Sequence, residues 1–271
     1  MTTNTMDAGA NPALANDLIN QALASVEKNE EVAPEIKAPI DTLVTLPGGF
    51  ISDGEVIKTV EVRELTGRDE EALSKATTIG RLLNTVLTRG VVKIGELPAT
   101  EELLNTMLAG DREAAMLGIH QVTFGNPVEL NGYCSGCDER KGVLIDLLKD
   151  LEMKTLEDSI ADRVFKVQGR KDEYTVTLPN GLVQKELQAN LEKTVSELSS
   201  ILLQGTVTEI NGTVVYSKNS IQNMGVVDRR TISEEIAKRN PGPVFKDVTV
   251  ECPDCSGEVV VPINLGSLFQ F

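Results

Sequence analysis

The chain has 271 residues, 41% of them apolar but only 3% aromatic and none of them Trp, so it reads as a globular protein with a core of Leu, Ile and Val. Its 41 acidic residues outnumber 26 basic ones, and the resulting formal charge of -15 repels phosphate backbones and anionic lipid surfaces. A basic nucleic-acid groove or a base-stacking platform therefore has little support, and neutral or basic proteins are the expected partners.

The N-terminal "MTTNTMDAGA" lacks the basic and apolar blocks of a signal peptide, and the uncharged run Val259 to Phe271 is too short to span a bilayer. Folding in a reducing cytoplasm is expected, where paired cysteines serve more often as metal ligands or redox centres than as disulfides.

Residues 1 to 41 read as a flexible arm ending in the proline-dotted "EEVAPEIKAPID". Inside it, Leu14, Leu18, Ile19, Ala22, Leu23 and Val26 fall on one side of a short helix, either fraying or docking a partner. Strand-like "TLVTLPGGF" and "EVIKTVEVREL" follow, with "ISDG" between them marking a hairpin. The stretch "TGRDEEALSKATTIGRLLNTVLTRG" is predicted to be one helix: Thr66 and Asp69 form a capping sequence, Asp69-Glu70-Glu71 favour the first turn, and Gly90 stands at the stop. "ATEELLNTMLAGDREAAMLGIHQVTFGNP" predicts two shorter helices with Thr100 and Asp111 as N-caps, and the chain then enters apolar runs around "CSGC".

After a connecting segment near Lys149 to Arg163, the same grammar returns. "DEYTVTLPNGL" is strand-like, "TVSELSSILLQG" is a helix capped by Thr194 and Glu197 and stopped by Gly205, and "GVVDRRTISEEIAKRNPGP" is a helix capped by Asp228. Apolar strands then flank "CPDC".

The two rounds can be laid on one another. At an offset of 117, Leu104 meets Ile221, Met107 meets Met224, Asp111-Arg112 meets Asp228-Arg229, Ile119 meets Ile236 and Gly125 meets Gly242. At 118, Cys134 and Cys137 meet Cys252 and Cys255, and Val143, Ile145 and Leu147 meet Val261, Ile263 and Leu265. Upstream, "LPGG" at 46 is matched with "LPNG" at 178, Gly90 with Gly205, and Arg63-Glu64-Leu65 with Lys185-Glu186-Leu187. The pattern points to an internal duplication.

All four cysteines lie in the two C-x-x-C pairs. Each pair can grip one metal ion, and two together complete a tetrahedral four-thiolate zinc site, so Cys134, Cys137, Cys252 and Cys255 are the candidate ligands of one structural Zn2+ held between the halves. A thioredoxin-like redox pair wants a helix after it, whereas "ERKGVLIDL" and "GEVVVPINL" look like strands. A catalytic zinc needs an open position, usually beside His or carboxylate; the lone His120 sits on a helix far from either pair and reads as a half-buried helix residue. "LPGGF" lacks the Lys and Ser/Thr of a phosphate-binding loop, and both Asp-Arg pairs read as helix caps, so no catalytic or small-molecule site is expected.

In order, "LPGG", "RELTGRDEEALSK", the Asp-Arg helix before a cysteine knuckle, "LPNG", "GVVDRRTISEEI", "PGP" and the terminal "CPDC…LGSLFQF" resemble the T-even-type phage baseplate hub assembly chaperone family from about Thr42 to Phe271. The resemblance implies a non-enzymatic bacteriophage tail protein that helps build the baseplate hub or stays in the baseplate. Its partners would be baseplate hub and tail-tube proteins, met in the host bacterial cytoplasm during assembly or in the virion. The alternative from another class is a zinc-ribbon protein acting on nucleic acid. Knuckles often place Gly directly after the second cysteine, where this chain has Asp138 and Ser256.

The expected fold is α+β: residues 42 to 149 form a first repeat and 150 to 271 a second. Each has helices, a small antiparallel sheet and a zinc knuckle, and the repeats meet at one shared four-cysteine site. The uncovered tail Leu265, Leu268, Phe269 and Phe271 is expected to dock a partner or to fold back on its own repeat.

Overall fold

A computed structural model describes residues 41 to 269; the amphipathic segment Leu14 to Val26 and Phe271 lie outside the described residues. Strands β1 (Asp41–Ser52) and β2 (Glu55–Arg63) form the expected hairpin, turned at Asp53-Gly54, whose φ values of 50° and 82° match the right-handed twist of the strands. "LPGG" lies inside β1 as an irregularity between Thr45 and Phe50. The single helix expected next is two, α1 (Gly67–Leu73) and α2 (Ile79–Gly90). The break falls at Thr77-Thr78 because Thr78 takes an extended conformation and its hydroxyl accepts from the Arg81 N–H, a capping geometry that competes with helix interior. The Thr66–Asp69 capping box opens α1 as expected.

Strands β3 (Val91–Ile94) and β4 (Leu97–Pro98) complete a sheet of order β1-β2-β3-β4. Helix α3 (Glu101–Thr106) is capped by Thr100, as the sequence predicts. Helix α4 (Ala109–Phe124) is not capped by Asp111: Leu108 is the N-cap, and Asp111 stands three residues inside, where its carboxylate accepts from Gly48 N–H of β1 at 2.6 Å. Nor is α4 a short helix. Eleven of its residues are buried, so it forms the axis of the first half, and Gly110 and Gly118 let it approach the Pro241-Gly242 backbone and Val44. A ribbon of β5 (Pro127–Cys134) and β6 (Glu139–Asp146) carries the first cysteine pair.

The connecting segment contributes β7 (Glu152–Lys154) before a second hairpin, β8 (Val164–Gln168) and β9 (Glu173–Thr177). Then follow α5 (Gly181–Gln188), α6 (Val195–Thr206), β10 (Val207–Ile210), β11 (Thr213–Val214), α7 (Lys218–Gln222) and α8 (Val226–Arg239). The chain closes with β12 (Gly242–Val244), β13 (Val248–Glu251), β14 (Glu258–Val261) and α9 (Leu265–Leu268). The second sheet has the order β8-β9-β10-β11, matching the first strand for strand.

The correspondence extends to single bonds. Val62 faces Val91 as Val176 faces Val207, and Ala99 N–H bonds Val92 O as Val215 N–H bonds Thr208 O. Gly225, not Asp228, caps α8, and Asp228 sits three residues inside as Asp111 does, accepting from Arg170 N–H at 2.9 Å. Three sequence matches fail, however. "LPGG" lies in the first hairpin strand while "LPNG" follows the second, Arg63 ends β2 while Lys185 lies in α5, and Gly90 ends α2 where Thr206, not Gly205, ends α6; N-cap Thr66 occupies the place of N-cap Asn180.

The halves interlock. β14 pairs with β5, so the two cysteine-bearing ribbons merge into one further sheet of order β13-β14-β5-β6 beside the antiparallel sheet of each half, and β12 pairs with β7. One apolar cluster spans the first half together with Val259, Val261, Ile263 and the C-terminal Leu265, Leu268 and Phe269; a second lies beneath β8 to β11 and α6 to α8. The tail therefore folds back on its own chain: Phe269 is 1% exposed and stands edge-on to His120, with ring centroids 5.5 Å apart. His120 is buried, not half-buried. Arg112, 1% exposed, donates from Nε to Gln184 of α5 at 2.8 Å and from a terminal nitrogen to Leu104 O at 2.7 Å.

Candidate metal centre

Each cysteine pair sits on a turn between two ribbon strands. Cys134 ends β5, and Cys137 lies in the turn to β6; Cys252 directly follows β13, and Cys255 lies in the turn to β14. The turns are built alike. Asp138 and Ser256, each directly after the second cysteine, take left-handed φ values of 58° and 57°, so the conformation usually left to Gly is adopted here by Asp and Ser. In the second turn, Ser256 N–H donates to Cys252 O at 2.9 Å and Cys252 N–H to Gly257 O at 2.7 Å.

Merging of the ribbons through β14 and β5 brings the turns together, with Val259 opposite Cys134. The four sulfurs then lie within 4.8 Å of one another; Cys134 Sγ is 3.5 Å from Cys255 Sγ, and Cys137 Sγ is 3.8 Å from Cys252 Sγ. The close pairs join the first cysteine of one turn to the second of the other. A zinc ion with thiolates at about 2.3 Å has sulfur–sulfur edges of about 3.8 Å, so the donor set fits such an ion in both type and spacing. Close approach is possible because Gly136 and Gly257 face one another: a Cβ on Gly136 would stand 2.9 Å from Cys255 Sγ.

The electrostatics are those of crowded thiols. The backbone N–H of Cys137 holds Cys134 down to about 6, whereas the neighbouring Cys134 sulfur pushes Cys137 up to about 12. Cys134 is thus the readier thiolate and Cys137 the more reluctant, an imbalance that a divalent cation would remove by stabilising every thiolate at once. Around the sulfurs, Lys141 of β6 bridges Glu139 at 2.5 Å and Asp254 of the opposite turn at 2.7 Å, and the Tyr133 hydroxyl bonds Asp138. These clasps escape the sequence reading, although opposite charges beside the pairs are visible there.

The structure thus brings together all four cysteines singled out in the sequence and leaves His120 apart from them, against Phe124 and Phe269. The two Asp-Arg pairs also stay separate from the sulfurs and serve helix–hairpin and helix–helix contacts.

A family model described as T4 bacteriophage base plate protein matches residues 50–270. The chain belongs to this family. No curated protein and no solved structure matched it. Membership makes this a phage base plate protein, whose work is done among other base plate proteins. No described helix is long and apolar enough to cross a membrane. The all-sulfur donor set of the cysteine cluster is that of a closed site.

Proposed function

We propose that this base plate protein is a non-enzymatic assembly factor or structural component of the baseplate hub, built by duplication and clamped by one zinc ion on Cys134, Cys137, Cys252 and Cys255. The observation that carries the reading is the equal contribution of the halves to the four-sulfur cluster: two sulfurs from residues 42 to 149 and two from 150 to 271. The shared element order, the shared sheet order and the matched left-handed residues after each knuckle support the duplication. Four thiolates fill a tetrahedral ion, so the metal would supply a cross-link of about 10 kcal/mol or more to folding. With the ion in place, the halves would present a stiff acidic surface to hub and tail-tube proteins.

Co-expression with the tail-tube and hub proteins of its phage tests the role. The protein should co-purify with one of them; whether it leaves when the baseplate is complete separates chaperone from component. Retention on DNA or RNA that weakens steeply with salt, with no tail protein bound, would contradict the reading.

A further inference from the structure

The contact between the two halves is head-to-tail. Helix α5 of the second half lies in a cleft of the first half formed by α2, α3 and α4. The chain around Asn180 pairs with Leu108: Ala109 N–H donates to Pro179 O and Gly181 N–H to Met107 O, both at 2.9 Å. Beside this bridge, Lys185 meets Glu101 at 2.6 Å, Gln184 donates to Glu113 at 3.0 Å, and Arg112 donates to Gln184 at 2.8 Å.

Both partners in this contact have counterparts that do not meet within the chain. The counterpart of the cleft is formed by α6, α7 and α8. There Gly225 repeats the backbone of Leu108, with φ and ψ of -59° and 139° against -57° and 145°, but Gly225 is exposed and the following Val226 is 67% exposed. The counterpart of α5 is α1, whose capping residues Thr66 and Gly67 are also exposed. A two-fold arrangement would have brought these surfaces together; a head-to-tail one leaves a donor at one end and an acceptor at the other.

The charges at the two free surfaces are complementary to each other. In the cleft, Glu101 and Glu113 are replaced by Lys218 and Arg230, while Arg112 is retained as Arg229. On the docking helix, Gln184 and Lys185 are replaced by Glu70 and Glu71. An acidic cleft that receives Lys185 thus corresponds to a basic cleft, and the helix matching it carries two carboxylates. Glu70, Glu71, Lys218 and Arg230 are exposed, and no salt bridge within the described residues uses them.

We propose that α1 of a second copy of this chain docks in the α6–α8 cleft, placing Glu71 against Lys218 and Glu70 against Arg230 and extending the internal contact from chain to chain. The inference rests on the correspondence of the halves and adds an interface to it. Repeated addition gives a ring if the rotation closes and a filament if it does not.

The test is sedimentation of the full-length protein from about 1 to 100 µM, with zinc content measured on the same samples. The wild type should exceed the 29.3 kDa of one chain in a concentration-dependent manner and fall back at high salt. Glu70→Lys with Glu71→Lys, and separately Lys218→Glu with Arg230→Glu, should each give a single chain, because each variant sets like charges against one another. Mixing the two variants should restore association, since the acidic helix of one meets the basic cleft of the other. A wild type that stays a single chain at the highest concentration overturns the proposal, as does association that both variants retain. Variants that lose only a tail-protein partner would assign the cleft to that protein instead. Unchanged zinc in every sample shows that the metal centre is intact; missing zinc alongside the expected association would remove the metal reading and leave the interface standing.

Discussion

Asp111 and Asp228 hold the same position in two helices, and each spends its carboxylate on a hairpin rather than on its own helix end. Asp228 also accepts from the buried Tyr174 hydroxyl at 2.9 Å, which tethers β9 to α8. Tyr174→Phe removes one hydrogen bond to a carboxylate and should cost about 1.5–3 kcal/mol in denaturant unfolding, with Arg170 N–H still holding Asp228 in place. Glu113 behaves differently: burial pushes its carboxyl up to about 7, with Gln184 and Arg112 opposing the shift. The folded state therefore holds a proton that the unfolded chain releases near its ordinary value. Stability linked to this group is full below about pH 4.5 and is lost as pH rises through about 7. Glu113→Gln should stabilise the protein at pH 8 by about 1–2 kcal/mol, the partial exposure of Glu113 limiting the gain. The advantage should vanish by pH 4; an equal gain at both pH values would show that ionisation is not the cause. Neither role was legible in the sequence, where an Asp before an apolar run reads as a cap; which N–H it accepts from depends on the distant hairpin folded against it.

At the scale of elements, hydrophobic periodicity and capping residues located the first hairpin, the Thr66, Thr100 and Thr194 helix starts, and the strands around each cysteine pair, but of the second hairpin only β9 was read. The α1/α2 break was missed because Thr77-Thr78 interrupts a stretch whose apolar spacing continues through it. Burial of α4 was also illegible: its length looked ordinary, and only the fold shows that Gly110 faces the Pro241-Gly242 backbone. Gly110→Ala should therefore destabilise by about 1–3 kcal/mol, although Ala is the better helix former, because a Cβ would overlap the Pro241 carbonyl. Stabilisation in thermal unfolding would show that α4 can shift away from β12. The tail was legible as sticky, and the sequence left open whether it docks a partner or folds back on its own repeat; it folds back, but against α4 of the first half. Phe269→Ala should cost about 3–5 kcal/mol, and removal of residues 266 to 271 should lower the unfolding temperature, since Phe269 fills the wall beside His120. A tail that served a foreign partner would leave the isolated protein as stable as before.

At the scale of the whole molecule, the repeated pattern of the sequence falls on like-placed residues of the fold at the cysteines, Met107/Met224 and the Asp-Arg pairs, which supports the proposed duplication. It was misread where short turn motifs recur by chance, as with "LPGG" and "LPNG". The merging of the ribbons into one sheet could not be read, because strand patterns give the faces of β5 and β14 but not their pairing. That merger makes the four-sulfur cluster possible, and it places the sulfurs at the apolar cluster that already takes residues from both halves. The most direct test is native mass spectrometry with elemental analysis of protein purified from a reducing bacterial cytoplasm without added metal. The account predicts one zinc per chain, lost in Cys252→Ser together with much of the thermal stability. Wild-type protein that is fully folded with free thiols and no metal would contradict it.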